Sequence, residues 1–164
     1  MRSAGAFSRT PEAATSLRNV PDSPSTTILV AADAEWVRAQ ARGAFVGRGQ
    51  RVVEVASGFD VRPTVAADPP DLIVLDMQIG NMGGIAVALD LHLEAASGRL
   101  PHIPILLLLD RAADRFLAMR AAVDAELVKP VDAGTLRRTA KRLLSAAATG
   151  APRPQPATSA PIES

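Results

Sequence analysis

Asp71-Leu72-Ile73-Val74-Leu75-Asp76 sets four unbroken aliphatic residues between two carboxylates. A run this short and continuous has no polar face, so as a strand it must be covered on both sides, as in the middle of a parallel sheet. Similar runs occur at Ile28 to Ala32 and Ile105 to Leu109, with shorter ones at Val52 to Val55 and Leu127 to Val128. Helical spacing fills most of the intervals: Val37, Ala41, Ala44 and Phe45; Ile85, Leu89, Leu93 and Ala96; Ala113, Phe116 and Leu117; Leu136, Ala140, Leu143 and Leu144. The second helix, near Asp60 to Ala67, is marked only by Pro63, which the pattern puts in its first turn. The alternation predicts an α/β fold, a three-layer α/β/α sandwich around a five-stranded parallel sheet, because crossover helices must cover both faces.

Of the 164 residues, 48% are apolar and 21% charged, which supplies one domain with a sizeable core. Residues 1–26 and 146–164 hold seven of the thirteen prolines among Ala, Ser, Thr and Gly. They are expected to be flexible extensions around a domain at 27–145. The longest apolar run, Ile103 to Leu109, falls well short of the roughly 20 residues of a membrane-spanning helix, so a cytoplasmic protein is expected. The absence of cysteine excludes disulfides, thiol nucleophiles and thiolate metal sites. His92 and His102 are separated in sequence and receive no function, which makes a zinc site improbable. A net charge of +1 gives no general attraction to nucleic acid or anionic lipid.

In open parallel sheets the chemistry gathers beyond the carboxyl ends of the strands. The runs here end in Asp33, Asp76, Asp110 and Lys129-Pro130. Neighbouring carboxylates repel unless a cation neutralises them, and a set of hard oxygen donors favours Mg²⁺. Lys129 is one of only two lysines among eighteen basic residues, so a compact ammonium is in use where the composition favours arginine. A carboxylate beside Mg²⁺ and an ammonium is arranged to attack phosphorus, and Asp76 is the candidate nucleophile. Asp33 reads equally as an N-cap of the first helix or as a metal ligand. Asp110 and Asp132 read as caps of the fourth and fifth helices. Arg137, Arg138, Lys141 and Arg142 read as a solvated face or a docking surface of the last helix, without the aromatic neighbours of a nucleic-acid surface.

The ordered set resembles the response-regulator receiver domains of two-component signalling over roughly Thr27 to Leu144. It comprises Ile28-Leu29-Val30-Ala31-Ala32-Asp33, the Val37-Arg38 helix, Asp71 to Asp76, Gly83-Gly84, Ile103-Pro104 and Val128-Lys129-Pro130. The resemblance implies a flavodoxin-like strand order 2-1-3-4-5. It also implies Asp76 as phospho-acceptor; Asp33, Asp76 and the Gln78 carbonyl as Mg²⁺ ligands; Lys129 as the group that touches the phosphoryl; and a cis bond before Pro130. Its implied partners are a histidine kinase or phosphotransfer protein and a protein effector or larger assembly, with homodimerisation left open. No enzyme activity of its own is expected.

Several positions depart from the family pattern. Ala32 replaces an acid, Leu109 replaces a hydroxyl residue, Asp110 replaces a small residue, Glu126 replaces an aromatic or aliphatic switch residue, and Gly80 and Gly83 replace a proline and an acid. An inward-pointing Asp110 would oppose an incoming phosphoryl group. These features predict an atypical stand-alone receiver acting through protein contact, because the stretch after Leu144 is too short for a DNA-binding module. The alternative is a phosphorylation-independent docking or accessory subunit of a larger protein assembly. A flavin-binding protein fits less well, since Ala32-Asp33-Ala34-Glu35 puts acid where a phosphate loop needs Ser, Thr and Gly.

Overall fold

The computed structural model describes residues 26–47 and 49–150. The elements run β1 (Thr26–Ala31), α1 (Glu35–Phe45), β2 (Gln50–Val55), α2 (Gly58–Ala67), β3 (Leu72–Asp76), α3 (Gly84–Ala96), β4 (Ile105–Leu109), a 3₁₀ turn (Ala112–Asp114), α4 (Arg115–Arg120), β5 (Ala125–Val128) and α5 (Ala133–Ala148). All strands are parallel, in the order β2-β1-β3-β4-β5. This is the flavodoxin-like arrangement that the alternation and the resemblance predict. Most of the expected tails, 1–25 and 151–164, lie outside the described residues, while α5 runs on to Ala148, three residues into the stretch expected as tail.

Successive strand residues face opposite sides, so each continuous run feeds two cores. Ile28, Val30, Val74, Leu106 and Leu108 pack beneath α1 and α5 with Val37, Phe45, Leu136 and Leu143. Leu29, Ile73, Leu75 and Leu107 pack beneath α2, α3 and α4 with Val61, Val87, Leu91 and Ala118. Every residue of β3 and β4 is buried, as their continuous aliphatic runs require, and Asp76 at the end of β3 is the one charged residue among them. At roughly 25 cal/mol per Å² of apolar surface, each large aliphatic residue buried here contributes about 1.5–3 kcal/mol.

Two helices turn differently from their expected stripes. In α3 the buried face is Gly84, Val87, Ala88 and Leu91, whereas Leu89 and Leu93 are exposed, Leu93 at 67%. The small side chains decide this: a Cβ on Gly84 would stand 2.5 Å from the Asp76 carbonyl oxygen, so only glycine lets the first turn lie against the end of β3. In α4 only Ala118 is buried within the helix, while Phe116, Leu117 and Met119 are exposed. Pro63 is the sixth residue of α2 rather than a first-turn residue, because Ser57 starts the helix earlier by accepting a hydrogen bond from the Phe59 N–H at 3.3 Å. Asp132 caps α5 as expected, accepting from the Thr135 N–H at 2.9 Å.

The burial pattern separates two leucines of equal size. Leu107→Ala, in the middle of β4, is expected to lower stability by about 2–5 kcal/mol in equilibrium urea unfolding. Leu93→Ala, on the outer face of α3, is expected to change it by less than about 0.5 kcal/mol. Equal losses would put Leu93 back in the core.

Candidate functional site

The ends of β1, β3, β4 and β5 meet at one rim of the sheet. Asp76 closes β3 and is 2% exposed. Its Oδ1 accepts two hydrogen bonds, from Lys129 Nζ at 2.9 Å and from the Gln78 N–H at 3.1 Å. None of the described residues hydrogen-bonds its Oδ2. Strand alternation explains the direction of the side chain: Asp76 continues the set Leu72 and Val74, which faces α1 and α5.

Lys129 lies immediately beyond β5, where its N–H donates to the Leu109 carbonyl at 2.8 Å and its peptide bond to Pro130 is cis, as the resemblance implies. Its Nζ is also 3.0 Å from Asp110 Oδ1, so one ammonium joins two carboxylates. The Lys129 side chain is 9% exposed. Burial is the largest single influence and pulls its pKa down. The hydrogen bonds and charges of Asp76 and Asp110 together outweigh burial and hold the ammonium above its ordinary value of 10.5. The Trp36 ring lies on the same side, with its centroid 5.7 Å from Nζ.

Asp33 stands one residue past Ala32, and the pairing of Ala31 with Leu75 brings that strand end beside Asp76. Asp33 does not cap α1: the N-cap position is Ala34, and no side chain bonds the first turn. Instead its Oδ2 overhangs the β3–α3 loop, where a Cβ on Gly80 would stand only 3.2 Å away. Arg38 straps the β1–α1 turn by donating to the carbonyls of Ala32 at 2.6 Å and Asp33 at 2.7 Å. The β3–α3 loop is pinned by Gly84 N–H to Met77 O at 3.0 Å and by Gly58 N–H to Gly80 O at 3.0 Å. Asn81, at φ 67°, donates from Nδ2 to Ser57 Oγ at 3.0 Å.

Asp76 and Lys129 therefore touch, with Asp33 and Gln78 on the adjoining turns. Among the described residues no group of three or more acidic or histidine side chains is arranged to hold a metal ion. The carboxylates of Asp33 and Asp76, at the ends of paired strands, are hard oxygen donors. That chemistry fits Mg²⁺, which keeps several of its own waters.

Asp110 is the main correction. It caps neither the 3₁₀ turn nor α4, whose N-cap positions are Arg111 and Asp114; it reaches across to Lys129 instead. Leu109 is fully buried in the core beneath α2, α3 and α4. Glu126 is exposed, 3.9 Å from Arg115. Arg137 is more than a solvated charge, since its Nε donates to the Ala44 carbonyl at 2.9 Å and ties α5 to α1. His92 and His102, apart in sequence, have stacked rings 6.2 Å between centroids. Trp36 carried no signal as a site residue beyond its place three residues after Asp33.

Residues 28–141 match the response regulator receiver domain family. The chain belongs to that family. The KDP operon transcriptional regulatory protein KdpE of Escherichia coli K12 is 32% identical over 132 residues, covering 79% of this chain and 56% of the relative, so this chain spans little more than half the length of that protein. Among solved structures, the signal receiver domain of a histidine kinase from Syntrophus aciditrophicus is similar with a TM-score of 0.65 and 25% identity, covering 82% of this chain and 98% of its own. The chemotaxis response regulator CheY4 of Vibrio cholerae aligns with a TM-score of 0.64 and 20% identity over 72% of this chain and 98% of its own, a likeness of fold. No helix among the described residues is long and apolar enough to cross a membrane.

Removing the shared cation tests this geometry. In the absence of added divalent ions, Lys129→Met is expected to cost about 3 kcal/mol in urea unfolding, because it leaves buried Asp76 without a counter-charge. A group whose folded pKa is raised contributes fully below its unfolded value and loses that contribution as pH rises through the folded one. The difference between wild type and variant should therefore be flat from about pH 6 to about pH 9 and shrink only above about 10.5. A difference that already shrinks below about pH 9 would contradict the doubly paired ammonium.

Proposed function

We propose that this receiver accepts a phosphoryl group on Asp76 and passes the signal on through protein contact. The observation that carries the reading is the asymmetric hold on the Asp76 carboxylate: Oδ1 is fixed by Lys129 and the Gln78 N–H, which leaves Oδ2 as the nucleophile. Attack of Oδ2 on the phosphorus of a phosphohistidine forms the P–O bond of an acyl phosphate as the P–N bond breaks. The electron pair returns to the imidazole nitrogen, which is then reprotonated. Lys129 donates to a phosphoryl oxygen and offsets charge that would otherwise collect on a buried carboxylate. Asp33, Asp76 and the Gln78 carbonyl would hold Mg²⁺, which when bound neutralises phosphoryl oxygens. Arg38 and the Gly84 turn keep the two loops in place before any donor arrives.

The donor on this reading is a histidine kinase or phosphotransfer protein, and the output is an effector or larger assembly met by protein contact rather than nucleic acid. Residues 26–148, from the start of β1 to the end of α5, act as the folded receiver, in the cytoplasm on this reading. A second reading, a docking subunit independent of phosphate, is favoured by one observation: Lys129 already has a second carboxylate, Asp110, upon it.

Incubation with Mg²⁺ and acetyl phosphate distinguishes the two. The expected outcome is an intact-mass increase of about one phosphoryl group that is absent in Asp76→Ala. No adduct on the wild type, with partner binding retained by Asp76→Ala, would contradict the acceptor role and support docking.

A further inference from the structure

We infer that Asp110 is an internal anion that competes with the phosphoryl group for Lys129, so that phosphorylation acts by expelling Asp110 and, with it, the connection from β4 to α4. The inference deepens the phospho-acceptor reading and rests on it. The last register pair of the two strands is Leu109 with Val128, which makes Asp110 and Lys129 the next residues facing each other beyond the sheet. Lys129 Nζ is 2.9 Å from Asp76 Oδ1 and 3.0 Å from Asp110 Oδ1, so two of its three donors are committed to carboxylates.

Phosphorylation converts the Asp76 carboxylate, with its single negative charge, into an acyl phosphate of about −1.5 to −2 whose phosphoryl oxygens are strong acceptors for this ammonium. The more highly charged phosphoryl group and the Asp110 carboxylate then compete for one cation in a partly buried site, where like charges repel strongly. Asp76 cannot leave, because it carries the phosphoryl group, ends a central strand and is 2% exposed. The Asp110 side chain is 38% exposed and begins a loop, so it is the group with somewhere to go. The Leu109 side chain offers the phosphoryl group no polar atom and is locked into the core, so attraction of a side-chain hydroxyl at the strand end is not available as a trigger. Repulsion of the next residue is.

The segment that would move is small. After Asp110 come Arg111, the 3₁₀ turn and the six residues of α4. Arg111 pairs with Asp114 inside the segment at 3.3 Å, and the ion pair between α4 and β5 among the described residues is the loose Arg115–Glu126 contact at 3.9 Å. Phe116, Leu117 and Met119 are exposed on α4, so releasing Asp110 re-aims an apolar surface.

A purely structural cross-strand ion pair would show none of this competition. The test needs no covalent chemistry at first: inorganic phosphate is titrated, without metal, against the full chain while the fluorescence of Trp36, the only tryptophan, is followed beside Lys129. Asp110→Asn, which keeps the shape and removes the charge, is expected to bind phosphate at least about tenfold tighter than wild type. Asp110→Ala should behave alike, and adding Lys129→Gln should abolish the gain. With Mg²⁺ and acetyl phosphate, Asp110→Asn should accumulate adduct at least about tenfold faster. Hydrogen exchange over residues 110–120 should rise on phosphorylation of wild type and stand at that higher level in Asp110→Asn beforehand. Equal phosphate binding by wild type and both Asp110 variants would overturn the competition, and unchanged exchange over 110–120 in phosphorylated wild type would overturn the expulsion. Tighter phosphate binding without adduct on any variant would sink the acceptor role of Asp76 while leaving Asp110 as the occupant of Lys129.

Discussion

A carboxylate at the buried end of a central strand has to be neutralised, and here Lys129 does it at 2.9 Å from the turn after β5, on the far side of β4. The rest of the rim follows from that requirement. The parallel sheet brings the ends of β3, β4 and β5 together, and period-two alternation turns Asp76 toward the side covered by α1 and α5. The same alternation sends Leu109 to the opposite core. The ammonium can serve two carboxylates because burial, which lowers its pKa, is outweighed by their combined attraction. The site thus holds one cation against two anions, and replacing the single charge of Asp76 with the larger one of a phosphoryl group forces a choice.

The sheet was legible in the sequence for a physical reason. Strands buried on both faces admit no polar residue, so Leu72 to Leu75 and Ile105 to Leu109 could be little else in a chain with alternating helical segments. The pairing of Asp76 with Lys129 was legible because both terminate such runs. The faces of α3 and α4 were not. Most of α3 is apolar, so Ile85, Leu89 and Leu93 satisfy the helical period as well as Val87, Ala88 and Leu91 do. What selects the inward face is close approach, which Gly84 and Ala88 permit and a stripe of larger residues does not. In α4, six residues make fewer than two turns, too few for a period to assert itself.

Asp33, Asp110 and Asp132 illustrate the limit of local reading. Each is an aspartate a short way before a helix, and locally the three look alike. Only Asp132 caps its helix; Asp33 lies over Gly80 and Asp110 holds Lys129. The difference is set by cross-strand register, which a helix-start signal does not contain. The place of Trp36 beside Lys129 was hidden for the same reason, since it depends on packing between residues far apart along the chain, and the His92–His102 stack depends on how the α3–β4 connection folds back on α3.

The central claim is that Asp76, Lys129 and Asp110 form one anion-exchange centre in which a phosphoryl group displaces a resident carboxylate. A crystal structure of the full chain with Mg²⁺ and beryllium fluoride, a stable stand-in for the phosphoryl group, tests it most directly. The account expects the fluoride complex on Asp76 Oδ2, Lys129 Nζ bonded to one of its fluorines, and the Asp110 carboxylate turned out to solvent. A complex bound at Asp76 with Asp110 still on Lys129, or no complex at Asp76 at all, would contradict it.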